Sequence, residues 1–182
     1  IRILLSMCIL NGLFVCQNKF DPEEALYLIK KYKISSLYLV PTLFHDLINC
    51  KNFFKRNIKD IKKIGFAGAP MSDYLLSKLD NIFEPEIFVN HYGSSEIYTF
   101  TYNNNAVLKP GSAGKAGINS MIRVIAIDSN DTSDEVNFGE EGKIIASMDS
   151  VESFNNYWNK PNADKNSIID GWYITGDIGY KD

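Results

Sequence analysis

The sequence predicts an α/β protein: a parallel sheet with flanking helices over residues 1–105, followed by part of a β-barrel-like unit over residues 106–182. Three observations carry this expectation. Apolar runs and amphipathic helices alternate along the first half, the pattern of a parallel sheet covered by helices. A polar, Gly- and Asn-rich stretch, "TYNNNAVLKPGSAGKAG", then interrupts the chain from Thr101. Beyond it the helical period vanishes, and short β-like runs are separated by turn clusters such as "DSNDTSDEVNFGEEG".

The elements follow in order. Residues 1–11 read as a helix, part of a buried helix that the sequence enters midway, with Gly12 as its terminator. Leu13 to Cys16 reads as a short buried strand. "FDPEEALYLIKKY" carries a start signal: Asp21 as cap, Pro22 at the first helical position and Glu24 completing a capping box. Ala25, Leu28, Ile29 and Tyr32 then mark one helical face. Ser35–Val40 is a strand, and Pro41 opens a helix with Leu43, Phe44, Leu47 and Ile48 apolar. Lys62–Pro70 reads as a strand ending in a Gly-Ala turn. Ser72 caps a helix burying Leu75, Leu79, Ile82 and Phe83, and Glu86–Asn90 is the next strand. In the second half the β-like runs are Met121–Ile127, Lys143–Ala146 and Trp172–Thr175.

Composition narrows the function classes. The chain has 182 residues, 45% hydrophobic and 23% charged, the range of an ordinary globular protein. A formal net charge of -3 leaves no basic footprint for nucleic acid and no polybasic membrane patch. The basic residues between Lys51 and Lys63 are interrupted by Asp60 and read as a solvated face. The apolar start, "IRILLSMCILNGLFVC", is broken by Asn11 and Gly12 and is shorter than the roughly 20 residues that cross a bilayer, so no stable membrane anchor is expected. Cys8, Cys16 and Cys50 are odd in number and form no C-x-x-C, which suits a reducing cytoplasm. His45 and His91 have no zinc-ligand spacing.

In open α/β sheets, ligands sit at the carboxyl ends of the strands. Three such ends are distinctive here. In "GFAGAP", Gly65, Ala67, Gly68 and Ala69 leave little side-chain bulk; a tight turn and the approach of a flat ligand both fit. In "VNHYGSSE", Tyr92 offers a flat ring with a polar tip, Ser94 and Ser95 offer hydroxyls, and Glu96 offers a hard oxygen ligand. Backbone N–H groups at such a turn favour anions. A nucleotide-phosphate site and a polar loop capping a following helix both fit that pattern. In "DGWYITGD", a strand ends at Thr175, Gly176 turns and Asp177 is presented; one carboxylate can accept both hydroxyls of a ribose cis-diol, and a plain turn also fits.

Taken together and in this order, "VPTLFHDLI", "GFAGAP", "VNHYGSSE", "KPGSAGKAG", "YWNKP" and "DGWYITGD" resemble the adenylate-forming superfamily of acyl- and aryl-CoA synthetases, luciferases and peptide-synthetase adenylation domains. The "VPTLF", "FAGAP" and "EGKIIAS" segments are most similar to acyl- or aryl-CoA ligases of the chlorobenzoate type. The resemblance implies that Gly68, Ala69 and Pro70 border adenine, that Asn90 and His91 line the adenine and acyl sites, and that Tyr92 stacks on the base. It implies Gly93 beside the carboxylate being activated, Ser95 on the α-phosphate where threonine is usual, Glu96 on Mg²⁺ and Asp177 on the ribose. Ser95 and Glu96 would serve the reaction directly.

The implied activity is AMP-forming acid–thiol ligation in two half-reactions. A small-molecule carboxylic acid attacks the α-phosphorus of Mg-ATP to give acyl-AMP, and CoA then displaces AMP. A domain that activates an amino acid for a carrier protein is one alternative reading; a nucleotide-binding module without catalysis is another. The family's Gly/Ser/Thr-rich loop with its lysine and its mobile C-terminal domain have no counterpart in these residues. Lys143 replaces a usual acidic residue, and no glycine precedes Tyr157. The sequence therefore reads as an internal fragment of the adenylating domain, inactive alone and partnered by the N- and C-terminal parts of its parent.

Overall fold

A computed structural model describes residues 2–54 and 58–182. The chain divides into two compact units, Ile1–His91 with Asn103–Ser112, and Tyr92–Tyr102 with Ala113–Asp182.

The first unit is a parallel sheet with helices. Its elements are α1 (Arg2–Ile9), α2 (Pro22–Tyr32), β1 (Ser36–Leu39), α3 (Pro41–Ile48), β2 (Lys63–Phe66), α4 (Asp73–Phe83) and β3 (Ile87–Tyr92), the last residue of which belongs to the second unit. β1 pairs parallel with β2, and β2 with β3, in chain order. Helices connect them because parallel neighbours need a long crossover. The apolar faces expected of α3 and α4 are the ones buried. Phe44, Leu47 and Leu79 are fully enclosed beside Ile64, Phe66 and Phe88 of the strands. Ser72 caps α4 by accepting from the Leu75 N–H at 3.3 Å.

Several expectations are corrected in this unit. Leu13–Cys16 forms no strand and does not enter a core: Leu13 and Phe14 are exposed, because no neighbouring strand pairs with this segment among the described residues. α1 stops at Ile9 and is not buried, with Leu4, Leu5 and Ile9 exposed. On α2 the buried stripe is Leu26 and Ile29, and Tyr32 faces solvent. Asp21 accepts from the Glu24 N–H at 2.7 Å, but the Glu24 carboxylate accepts from Gln17 Nε2 at 2.9 Å, so the reciprocal half of the capping box gives way to a longer-range bond. Of the basic run Lys51–Lys63, Lys51, Lys59, Lys62 and Lys63 are exposed, and Lys55 and Arg56 lie outside the described residues.

The second unit is antiparallel. β4 (Thr101–Asn103), all but its last residue within this unit, pairs with β5 (Lys115–Ala116). β6 (Ile122–Ile125), β7 (Gly142–Ser147), β9 (Trp172–Gly179) and β8 (Ile168–Ile169) form a four-stranded sheet in that spatial order. Its core gathers Ile97, Phe100, Ala146 and Tyr173, with Ile125, Ile145 and Trp172 as a smaller cluster. β8 and β9 form a hairpin across Asp170 and Gly171, whose φ values of 47° and 76° fit the two-residue turn that Asp-Gly favours.

A helix, α5 (Pro161–Ser167), occurs where the sequence carries no helical period, because none of its residues is buried and an apolar stripe is absent. β9 does not end at Thr175. Ile174 faces Ile145 and Ile178 faces Lys143, so Thr175, Gly176 and Asp177 bulge out opposite the single residue Ile144. Gly176 takes the positive φ, 84°, that this needs. Among the described residues no helix is long and apolar enough to cross a membrane.

Candidate functional site

The bulge in β9 aims one carboxylate. Thr175 Oγ1 donates to the Ile144 carbonyl at 2.9 Å and accepts from the Asp177 N–H at 3.1 Å, which fixes the kinked backbone. Asp177 is exposed, and its Oδ2 accepts from the Tyr92 hydroxyl at 2.5 Å. The Tyr92 ring packs edge-on against Phe100, with centroids 4.9 Å apart. Burial first, and the neighbouring Asp177 carboxylate second, push the Tyr92 phenol well above its usual range. The hydroxyl is therefore a held donor at neutral pH. It uses one acceptor position on a carboxylate that has about four.

The segment after Tyr92 is a tight loop and caps no helix. Ser94 N–H donates to the Ile97 carbonyl at 3.0 Å, and Ser94 Oγ accepts from Glu96 N–H at 3.1 Å and Ile97 N–H at 3.2 Å. Ser94 thus consumes two of the backbone donors that an anion would use, whereas Ser95 is exposed. Gly93 has a steric reason to be glycine, since a Cβ there would run into the Tyr98 carbonyl. Glu96 Oε1 accepts from the Tyr157 hydroxyl at 2.7 Å. Burial alone would push the Glu96 carboxyl up, but hydrogen bonds from Tyr157 and Ser94 outweigh it and hold the group below the usual carboxylate range. An ionised, oriented carboxylate is a donor of the kind Mg²⁺ accepts. Nearby, Ile97 bridges to Ser153, and Glu152 Oε2 and Ser153 Oγ are buried without hydrogen-bond partners.

The remaining sequence-predicted residues lie in the first unit. Gly68 (φ 83°), Ala69 and Pro70 form an exposed turn after β2. Asn90 Nδ2 donates to the Ser112 carbonyl at 3.0 Å, and with Pro70 it lines a cleft of about 40 Å³ that also touches Phe66, Met71 and Gly111. A cleft of that size has room for about one water, not a nucleobase. His91 is buried, with its Nδ1 2.7 Å from the Tyr38 hydroxyl. Tyr38 also explains Gly65: its ring lies where a Gly65 Cβ would be, at 2.6 Å, so the bare backbone there accommodates a side chain of the protein itself.

Within the second unit, then, the fold brings Tyr92 and Asp177 into contact across 85 residues and places Glu96 on Tyr157. Sequence reasoning missed Tyr38, Thr175 and Tyr157. Tyr157 stood in the quoted "YWNKP" motif without a role; its aromatic neighbour Trp158, highly exposed, gave no hint of which ring turns inward.

Known proteins resemble this chain. Residues 3–158 match the family described as AMP-binding enzyme. The chain is 28% identical over 180 residues to a 4-chlorobenzoate–CoA ligase of an Arthrobacter species, covering 99% of this chain and 34% of that protein. It is 31% identical over 166 residues to a long-chain-fatty-acid–CoA ligase of Bacillus subtilis (strain 168), covering 90% and 29%. The solved structure of o-succinylbenzoate CoA synthetase from Bacillus subtilis in complex with AMP has the same fold, with a TM-score of 0.80 at 22% identity, covering 98% of this chain and 35% of that one. The chain spans about a third of the length of these relatives, between 29% and 34% for the two ligases.

Proposed function

The chain belongs to the AMP-binding enzyme family, and from that premise we propose that it is the nucleotide-gripping part of an ATP-dependent acyl- or aryl-CoA ligase. The observation that carries this reading is the 2.5 Å bond between the Tyr92 hydroxyl and Asp177. A flat ring and a carboxylate held together are suited to a base and the ribose diol of one nucleoside. The relatives named as 4-chlorobenzoate– and long-chain-fatty-acid–CoA ligases support the reaction class.

In this reading a carboxylic acid attacks the α-phosphorus of ATP, pyrophosphate leaves, and the CoA thiol displaces AMP. The chain's own residues orient and neutralise. Tyr92 bears the adenine ring and Asp177 the ribose hydroxyls. Gly68, Ala69 and Pro70 would border the base, and Asn90 and His91 would line the adenine and acyl sites. Gly93 admits the reacting carboxylate to the backbone, and Ser95 donates to the α-phosphate. Glu96 would hold Mg²⁺, which when bound offsets phosphate charge. The parent's remaining segments supply the rest of the pocket, and the three unpaired cysteines accord with a reducing cytoplasm.

Calorimetric titration of the 182-residue chain with AMP and with 2′-deoxy-AMP tests the reading. Asp177→Ala should weaken AMP about tenfold, a loss of about 1.4 kcal/mol. Loss of the 2′-hydroxyl should weaken the wild type but not the variant. Equal affinities throughout, or no binding of AMP, would refute it.

A further inference from the structure

We propose that Tyr157 is a positioning residue for Glu96: its hydroxyl fixes the carboxylate in the orientation in which it meets a divalent cation. The proposal rests on the reading of Glu96 as the cation's protein ligand.

The geometry is specific at both ends. Tyr157 O–H donates to Glu96 Oε1 at 2.7 Å, 61 residues away in sequence. Tyr157 is itself pinned: its N–H donates to Asp164 Oδ1 at 2.8 Å, and its ring packs edge-on against Phe154 with centroids 4.9 Å apart. Asp164 sits on α5, so the short polar helix has a job that its composition hides. Through the main chain, Phe154 N–H donates to the Glu96 carbonyl at 2.7 Å, and Ile97 bridges to Ser153. Glu96 is therefore held through both main chain and side chain by one segment, residues 153–157. Phe154 also packs edge-on against Tyr173 at 6.0 Å, which closes the aromatic support behind the pair.

A lone glutamate on a loop samples several rotamers, and each must be surrendered when a metal binds. A hydroxyl donated to one oxygen removes that freedom in advance. It also leaves the carboxylate negative, because the donor is neutral. Outer partners of metal ligands act in this way, and their loss typically costs about 10–100-fold in metal affinity.

The test is Mn²⁺ binding to the 182-residue chain in the presence of AMP, read by paramagnetic broadening of amide signals at Ser95 and Glu96. Four chains are compared: wild type, Glu96→Gln, Tyr157→Phe and Phe154→Leu. Tyr157→Phe removes one oxygen from a half-exposed ring, and a thermal melt reports its fold. Phe154→Leu disturbs the same aromatic cluster without touching the polar bond. The expected result is a loss of about tenfold in Mn²⁺ affinity for Tyr157→Phe, a larger loss for Glu96→Gln, and a smaller loss for Phe154→Leu than for Tyr157→Phe despite a lower melting temperature. If Glu96→Gln weakens binding and Tyr157→Phe does not, positioning is refuted while Glu96 stands as ligand. If Tyr157→Phe and Phe154→Leu weaken binding equally, the role is merely structural and the proposal fails. If Glu96→Gln changes nothing, or the wild type does not bind Mn²⁺, both the proposal and the reading beneath it fall.

Discussion

The Tyr92 hydroxyl meets the Asp177 carboxylate at 2.5 Å, joining the last residue of β3 to a bulge in β9 within the second unit. Burial and this carboxylate raise the Tyr92 phenol, which gives the contact a pH signature. Below pH about 10 both folded and unfolded chains keep the phenolic proton, and the contribution is fully present. Above it the unfolded chain releases the proton while the folded chain retains it, so stability falls as pH rises. Guanidinium unfolding at about pH 9 and about pH 11 should show a smaller alkaline loss in Tyr92→Phe than in the wild type. At neutral pH the variant should cost about 1 kcal/mol. Identical alkaline slopes would contradict the assignment.

Gly93 is fixed by contact with the Tyr98 backbone carbonyl, which cannot swing aside as a side chain would. Gly93→Ala should destabilise the chain by about 2 kcal/mol or more, since overpacking against backbone forces the loop to move. The midpoint of chemical denaturation measures this. A neutral alanine would mean that the glycine serves only a ligand.

Ser153 Oγ is buried without a partner. An unsatisfied buried hydroxyl is a standing cost of about 1–3 kcal/mol. Ser153→Ala should therefore be neutral or stabilising by up to about 1 kcal/mol, judged by the shift in melting temperature. A clear loss of stability would show that the hydroxyl has a partner.

Lys33 ends α2 in the left-handed region at φ 50°, and the next N–H, from Ile34, donates to the Ile29 carbonyl at 3.0 Å. That closure favours glycine. Lys33→Gly should raise stability by about 0.5 kcal/mol, the relief of Cβ strain exceeding the added chain entropy. Denaturant unfolding tests the sign.

The parallel half was legible because its signals are periodic. The apolar spacing of α3 and α4, the cap at Ser72 and the short runs at β1 to β3 each follow from local sequence and agree with one another. Leu13–Cys16 misled because apolar character alone cannot supply a pairing partner. α5 was invisible because it is held by Asp164 and a proline start, not by an apolar stripe. At the site, Tyr92, Glu96 and Asp177 announced themselves as chemistry-bearing groups beside glycines. Tyr157 and Tyr38 did not, since their roles exist only once residues 61 and 53 positions away are brought to their hydroxyls. Local sequence can propose what a residue could do. It cannot say which distant group orients it, and it did not show that Ser94 spends its hydroxyl on its own loop.

In the proposed function, Tyr92 and Asp177 hold one nucleoside between them. A crystal structure of the 182-residue chain grown with AMP tests it most directly. The prediction is ribose hydroxyls within about 3 Å of the Asp177 carboxylate and the adenine ring against Tyr92. AMP bound elsewhere, with Asp177 touching only the Tyr92 hydroxyl, would contradict it.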